Sequence, residues 1–269
     1  MLLQRSLVSL VMLPVSLVVV LYGGWLYAFV LALVFAVAAS EYTALMQAGG
    51  YKPAGFAVIG SVTIFILARQ ADGTSLWVLP FAIMVAMIYH VWTFDQGRDE
   101  AGSDFISSIA GIFYLGVLSS YYVSLRALPS GMWWVLLTLP AIMLADSGAY
   151  VLGSRFGRHK LTRRVSPKKS WEGYLGGVLS SAIGTPLLAW VYYQFGMSMQ
   201  ITLLQAAALG SVLGILTLFG DLGVSMLKRQ VGLKDTGTIL PGHGGIFDRT
   251  DSWLWGAPLA YFLIIWFFQ

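Results

Sequence analysis

Apolar runs of 15–28 residues recur along this chain with only short polar breaks between them, and that alternation constrains the fold more than any other feature. A helix needs about 20 apolar residues to cross the hydrocarbon core of a bilayer, within a range of roughly 17 to 25. Nine stretches meet or approach that length: residues 6–22, 25–46, 56–70, 76–94, 104–125, 131–153, 172–195, 200–227 and 252–268. The third is short, and the eighth is long enough to tilt or to extend beyond the bilayer. None alternates apolar and polar residues with period two, which argues against the strands of a membrane barrel. Hydrophobic residues make up 58% of the chain and charged ones 10%, well outside the usual balance of a soluble domain. The expected fold class is all-α: a polytopic integral membrane helical bundle of about nine transmembrane helices. With no linker or polar tract in view, residues 1–269 are expected to form one membrane-embedded domain. Arg5 precedes the first run, but no A-x-A-like cleavage site follows it, so this run is expected to be a retained span rather than a signal peptide.

Orientation follows from where Lys and Arg fall. With nine spans, one side carries Arg5, Lys52, Arg98, Arg155, Arg158, Lys160, Arg163, Arg164, Lys168, Lys169, Lys228, Arg229, Lys234 and Arg249. The other side carries only Arg69 and Arg126, and fourteen plus two accounts for all 16 basic residues. An error of one span destroys this sorting. The basic side, with the N-terminus, is expected to be cytoplasmic and the C-terminus outside. The net charge of +4 therefore belongs to topology and to anionic headgroups, and no nucleic-acid partner is expected. Cysteine is absent, which excludes disulfides and thiolate chemistry.

Against this apolar background, residues 221–251 stand out. Thirty-one residues hold four of the chain's 12 acids (Asp221, Asp235, Asp248, Asp251), four bases and His243. Asp221 lies towards the end of the eighth run; Ser225 and Lys228 follow at i+4 and i+7, on one helical face. An acid at membrane depth costs roughly 2.5–3.5 kcal/mol to insert, so Asp221 needs a partner, with Lys228 or Arg229 as the structural candidates. In L-P-G-H-G-G-I-F-D-R-T-D, Pro241, Gly242, Gly244 and Gly245 interrupt any regular helix and let backbone approach a ligand. Backbone N–H groups in such a turn form an anion-binding concavity. Asp248 and Asp251 are i, i+3, and face one way if a helix starts there. Together with Asp221 they suit a hard cation such as Mg²⁺, which takes one or two carboxylates, waters and substrate phosphate. The bland alternative is a polar hairpin in which Asp248 caps the last helix and Arg249 snorkels.

A second basic loop, Arg155 to Gly173, contains Ser166-Pro167-Lys168-Lys169-Ser170 just before an apolar run. It reads as a topology signal, or more sharply as a triphosphate site made by a helix N-terminus with nearby lysines. Asp146 in A-D-S-G-A-Y is an intramembrane acid and a functional candidate by default, with Lys160 or the Asp221 region as its partner. Glu41 lies near the end of the second run, where solvation or snorkelling is the simpler account. His90 reads as a hydrogen-bonded packing residue, and only His243, between glycines, is a plausible ligand or proton donor. G-Y-L-G-G at 173–177 reads as close helix packing, and Trp133, Trp134 and Trp253 as an interfacial belt.

Taken together, S-M-L-K-R-x₄-K-D-T-G-T-I-L-P-G-H-G-G-I-F-D-R-T-D, from Ser225 to Asp251, closely resembles the signature of the phosphatidate cytidylyltransferases, the CDP-diacylglycerol synthases. A-D-S-G-A-Y and S-P-K-K-S-W-E-G resemble two further segments of that family. The resemblance implies a bacterial-type inner-membrane enzyme, active on its cytoplasmic face, that condenses CTP with phosphatidic acid to CDP-diacylglycerol and pyrophosphate. It implies Mg²⁺ on Asp221 and Asp248, with Asp251 as a third ligand. It implies nucleotide contacts from Ser166, Lys168 and Lys169, and it admits a homodimer. Lys228 and Arg249 are expected to neutralise charge beside the catalytic acids, and Ser225, Arg229, His243, Gly244 and Gly245 to contact substrate. Two rivals remain at this stage. A CTP-dependent lipid kinase would release CDP instead of pyrophosphate, and an ion-coupled transporter would use Asp146 and Asp221 as coupling sites at broken helices.

Overall fold

A computed structural model describes residues 14–198, 201–237 and 244–268. Residues 14–22 are helical (α1). Among the described residues eight helices long and apolar enough to cross a bilayer follow: α2 (Gly24–Ala48), α3 (Gly55–Asp72), α4 (Val78–Asp95), α5 (Ala101–Ala127), α6 (Gly131–Phe156), α7 (Trp171–Gln194), α8 (Leu203–Gln230) and α9 (Phe247–Phe268). Among the described residues there is no strand; Lys160 and Ser170 form an isolated antiparallel bridge. The chain is a multi-pass, all-α membrane protein. The second to ninth expected spans each find a helix, and the first falls partly outside the described residues. Between α1 and α2 the backbone turns on Gly23 (φ 66°) and Gly24 (φ 56°), a conformation that side chains with a Cβ resist.

The main departure is the start of α9. It begins at Phe247 rather than 252, so Asp248 and Asp251 both lie in the helix, the condition on which their i, i+3 reading depended. α8 is also interrupted. It runs as two helical pieces, Leu203–Leu216 and Leu218–Gln230. At the junction the Thr217 hydroxyl donates to the Leu213 carbonyl at 2.7 Å, a back-bond that bends helices. Asp221 therefore sits in the first turn of a fresh helical piece.

The described residues form two compact units, one drawn from residues 1–124 and 227–250, the other from 125–226 and 251–269. In the first, Phe35, Phe65, Ile66, Ile112 and Leu115 are fully buried. The Tyr42 hydroxyl donates to the Ser107 carbonyl at 2.8 Å. His90, expected to be a packing residue, is buried with Nε2 2.8 Å from Ser108 Oγ. Asp104 is buried; it accepts from the Lys52 backbone N–H at 2.7 Å and from Arg98 Nε at 2.8 Å. α5 carries a π-helical stretch at Ile112–Val117. Beyond it, Ser120 and Ser124 accept from the Arg69 guanidinium at 3.3 and 3.1 Å, and Ser75 accepts from Arg69 Nε at 3.1 Å.

In the second unit Leu137, Ile142, Leu209, Leu213 and Leu254 are fully buried. Glycine packing of the G-Y-L-G-G run is realised here. A Cβ on Gly177 would lie 2.5 Å from the Ala145 carbonyl oxygen, and one on Gly173 2.9 Å from Gly153 Cα. α6 and α7 thus meet backbone to backbone, as small residues permit between membrane helices. Trp134 departs from the belt reading: it is 4% exposed and stacks on Phe268 at 6.1 Å. Its side chain fills the unit's interior instead of reaching headgroups. Large exposed side chains such as Phe81, Ile88, Leu187 and Trp190 suit a hydrocarbon surround.

Candidate active site

In the second unit, the loop joining α6 to α7 is folded onto itself by its own hydrogen bonds. Glu172, in the first turn of α7, accepts from the backbone N–H groups of Arg158 and His159 at 3.1 and 3.2 Å, and contacts His159 Nδ1 at 2.5 Å. The Ser170 hydroxyl caps α7 by accepting from the Gly173 N–H at 3.2 Å. Lys169 donates its N–H to the Ser166 carbonyl at 3.1 Å, and its own carbonyl accepts from the Leu161 N–H at 3.0 Å. With its backbone fixed on both sides, Lys169 reaches Asp221 and forms an ion pair with Oδ2. Asp221 thus finds its partner in Lys169, from the S-P-K-K-S loop, rather than in the neighbours Lys228 or Arg229. Ser225, one turn on, donates to Asp221 Oδ1 at 3.2 Å, as the i+4 spacing anticipates.

Asp251 joins this cluster from α9. It is 8% exposed, and Oδ1 accepts the Ser252 N–H at 2.7 Å. The negative charges of Asp221 and Asp146 act on its carboxyl, and the Lys169 ammonium opposes them. α8 comes close enough to α9 for a Cβ on Gly220 to strike the Asp251 carbonyl and to lie 2.8 Å from Trp255 Cδ1. Asp251 thus shares an electrostatic environment with Asp221, Asp146 and the Lys169 ammonium, which itself pairs with Asp221. Among the described residues no three Asp, Glu or His side chains form a ready-made metal-ligand array. Mg²⁺ does not require one: it is held by one or two carboxylates and completed by water and phosphate. An acid-rich, oxygen-only donor set with a part-exposed Asp221 (30% of its side chain) fits such an ion.

The first unit holds the glycine-rich end of the signature. Lys228, 10% exposed at its side chain, pairs with Asp248 Oδ1 at 2.5 Å, and Asp248 is 8% exposed. Asp248 Oδ2 accepts from the Thr236 N–H at 2.8 Å, the Thr236 hydroxyl at 3.0 Å and the Gly245 N–H at 3.1 Å. Arg229 donates to the Leu233 carbonyl at 2.9 Å, and Arg249 is exposed. Gly244 takes φ 80°, as a tight turn requires. His243 lies outside the described residues, as do Pro241 and Gly242.

Glu41 overturns its sequence reading. It does not snorkel: it is 5% exposed and accepts from the Ile246 N–H at 3.0 Å, the Phe247 N–H at 2.8 Å and the Thr236 hydroxyl at 3.1 Å. The two backbone N–H groups are orphan donors at the start of α9, which a carboxylate suits in both hydrogen bonding and helix-dipole terms. The signal that could have found it was the one applied to Asp146, an acid inside an apolar run. Thr236 carried no such signal.

Comparison with known proteins gives a consistent family. The sequence model of the cytidylyltransferase family matches residues 3–267. The chain is 31% identical over 293 residues to a protein of Synechocystis named phosphatidate cytidylyltransferase, covering 97% of this chain and 96% of that one. It is 31% identical to a protein of the same name from Staphylococcus haemolyticus and 32% to one from Staphylococcus epidermidis, each covering 97% of this chain and 98% of the relative.

Proposed function

The chain belongs to the cytidylyltransferase family, and from that premise we propose that it transfers the cytidylyl group of CTP to phosphatidic acid, releasing pyrophosphate. The observation that supports this reading best is the Lys169–Asp221 pair, which joins the basic loop to an acid cluster in a chain whose full-length relatives bear that enzyme's name. In the reaction a phosphate oxygen of phosphatidate attacks the α-phosphorus of CTP. The bond from that phosphorus to the bridging oxygen of the β-phosphate breaks, and pyrophosphate leaves with the electron pair. A phosphate monoester is already anionic near neutral pH, so no strong general base is needed. The demand is electrostatic: two anions must be brought together and charge on the leaving group stabilised.

Ser166, Lys168 and Lys169 are the residues that bind the triphosphate, from a loop held rigid ahead of α7. Asp221 and Asp251 hold the divalent ion, with Asp146 as the third acid of the cluster. Mg²⁺ when bound supplies charge neutralisation on the phosphate oxygens. The family resemblance assigns a ligand role to Asp248 too. Its oxygens are taken by Lys228, Thr236 and Gly245, so that role requires Lys228 to release Oδ1. Lys228, Arg229 and Arg249 add positive charge along the signature, with the N–H groups of Gly244 and Gly245 and the Ser225 hydroxyl as polar contacts; His243 is the remaining proton donor. By the Lys and Arg sorting, the acid- and base-rich loops face the cytoplasm of a bacterial-type inner membrane. A homodimer is read out by the mass of the purified protein in detergent.

The test is incubation of the purified protein with radiolabelled CTP, phosphatidate and Mg²⁺, with a chelator control. A labelled liponucleotide and pyrophosphate are expected. Release of CDP with a newly phosphorylated lipid would instead make it a kinase, and absence of any Mg²⁺-dependent product would sink the proposal.

A further inference from the structure

We propose that Glu41 is a positioning residue for this transfer: from α2, far away in sequence, it holds the first turn of α9 and so sets where Asp248 and Lys228 point. The inference rests on the cytidylyl-transfer reading, but the geometry behind it is independent of that reading.

The Glu41 carboxylate is 5% exposed. Among the described residues no Lys, Arg or His forms an ion pair with it. A buried carboxylate without a cation is costly unless its lone pairs are filled. Here they are filled by Ile246 and Phe247 N–H and by the Thr236 hydroxyl. The surrounding chain closes tightly around the group. A Cβ on Gly237 would lie 2.6 Å from Glu41 Oε1, and one on Gly245 would strike both Glu41 Oε2 and the Thr236 hydroxyl oxygen. Two glycines of the signature are therefore needed because this carboxylate lies against them. The Tyr42 ring, next along α2, meets the Phe247 ring edge-on at 6.1 Å, which holds the same turn from its apolar side.

The link to the signature acid runs through Thr236. Its single hydroxyl proton stands between Glu41 Oε2 at 3.1 Å and Asp248 Oδ2 at 3.0 Å, and a hydroxyl donates only once. While Glu41 takes that proton, Asp248 Oδ2 is left with two backbone N–H donors and Oδ1 remains on Lys228. Removing the Glu41 charge gives the hydroxyl to Asp248 and frees the N–H groups of Ile246 and Phe247. A purely apolar plug would fill the same space without the cost of burying a charge. A carboxylate is the group that also fixes backbone direction and shares a proton with Asp248.

The experiment compares full-length wild type, Glu41→Gln and Thr236→Val in detergent micelles. It measures kcat and KM for CTP and for phosphatidate, thermal unfolding, and amide hydrogen exchange over residues 244–250. Glu41→Gln keeps volume but sets an NH₂ donor against one of the donors around it. The expected result is kcat lowered about tenfold or more, KM for both substrates within about threefold, an unfolding temperature near wild type, and faster exchange at Ile246 and Phe247. Thr236→Val, which removes the shared proton but leaves the Glu41–backbone bonds, should lower kcat with exchange at those two amides unchanged. Wild-type kcat in Glu41→Gln, or a raised KM with kcat intact, overturns the proposal. So does an activity loss that matches the fraction unfolded. If the wild type makes no liponucleotide, the transfer reading fails on its own. Amide exchange in Glu41→Gln then still decides whether this carboxylate holds the turn, and unchanged protection would refute it.

Discussion

Replacing Lys228 with Met should destabilise the protein by about 3 kcal/mol, and the figure follows from what surrounds Asp248. The pair is nearly dry, with 10% and 8% of the two side chains exposed at 2.5 Å separation. Removing one partner of a buried pair costs about 3–5 kcal/mol, because it strands the other charge. The stranded carboxylate keeps two backbone donors, the Thr236 and Gly245 N–H groups, and lies within reach of the Thr236 hydroxyl that Glu41 also draws on. Hydrogen bonds to a charged group are worth about 1.5–3 kcal/mol each, so the loss falls at the lower end of that range. Methionine matches the lysine stem, so no cavity term is added. The decisive comparison is the double variant Lys228→Met with Asp248→Asn, which removes both charges and should recover about 1–2 kcal/mol of the single variant's loss. Equilibrium unfolding in mixed micelles, run as a double-mutant cycle, measures both quantities. A single-variant loss below about 1 kcal/mol, or a double variant no more stable than Lys228→Met, would refute the argument that an uncompensated Asp248 charge is what the lysine prevents.

Further expectations concern turnover and packing. Asp248→Asn should still insert, yet lose turnover by about a hundredfold or more, the scale on which removing a preorganised electrostatic group acts; normal turnover would exclude the ligand role. Asp251→Asn should raise the Mg²⁺ concentration for half-maximal activity by about tenfold, as loss of one of two carboxylates implies, and a titration against free Mg²⁺ reads this directly. Gly177→Ala places a methyl 2.5 Å from the Ala145 carbonyl; overpacking of this kind costs about 1–3 kcal/mol, measurable as a lower unfolding temperature.

The helices were legible because bilayer thickness imposes a length on apolar runs, and every span from the second to the ninth found its helix. The ends were not. α9 starts at Phe247 because Glu41, some two hundred residues earlier, satisfies its first N–H groups, and no local pattern announces a cap supplied from elsewhere. The break at Thr217 likewise depends on a side chain bonding its own helix, which β-branched residues in apolar runs do only in some contexts. At the site, the acids and lysines that matter were all visible as charges in an apolar chain, but not their pairing. Asp221 takes Lys169, 52 residues away in sequence, where local spacing favoured Lys228. Trp134 misled because aromatic residues near a span end serve both headgroups and cores, and only packing against Phe268 decides.

The π-helical stretch at Ile112–Val117 carries a consequence of its own. A π-turn amounts to one surplus residue in an α-helix, and one residue is about 100° of helical rotation. Whatever follows the surplus is swung round by that angle relative to what precedes it. Ser120 and Ser124 reach the Arg69 guanidinium from the far side of the stretch, while Ser107 and Ser108 meet Tyr42 and His90 from the near side. One α5 thereby serves two sets of neighbours that a uniform helix of the same sequence could not face together. Shortening it by a single amino acid would cost this chain an entire polar anchorage rather than one side chain.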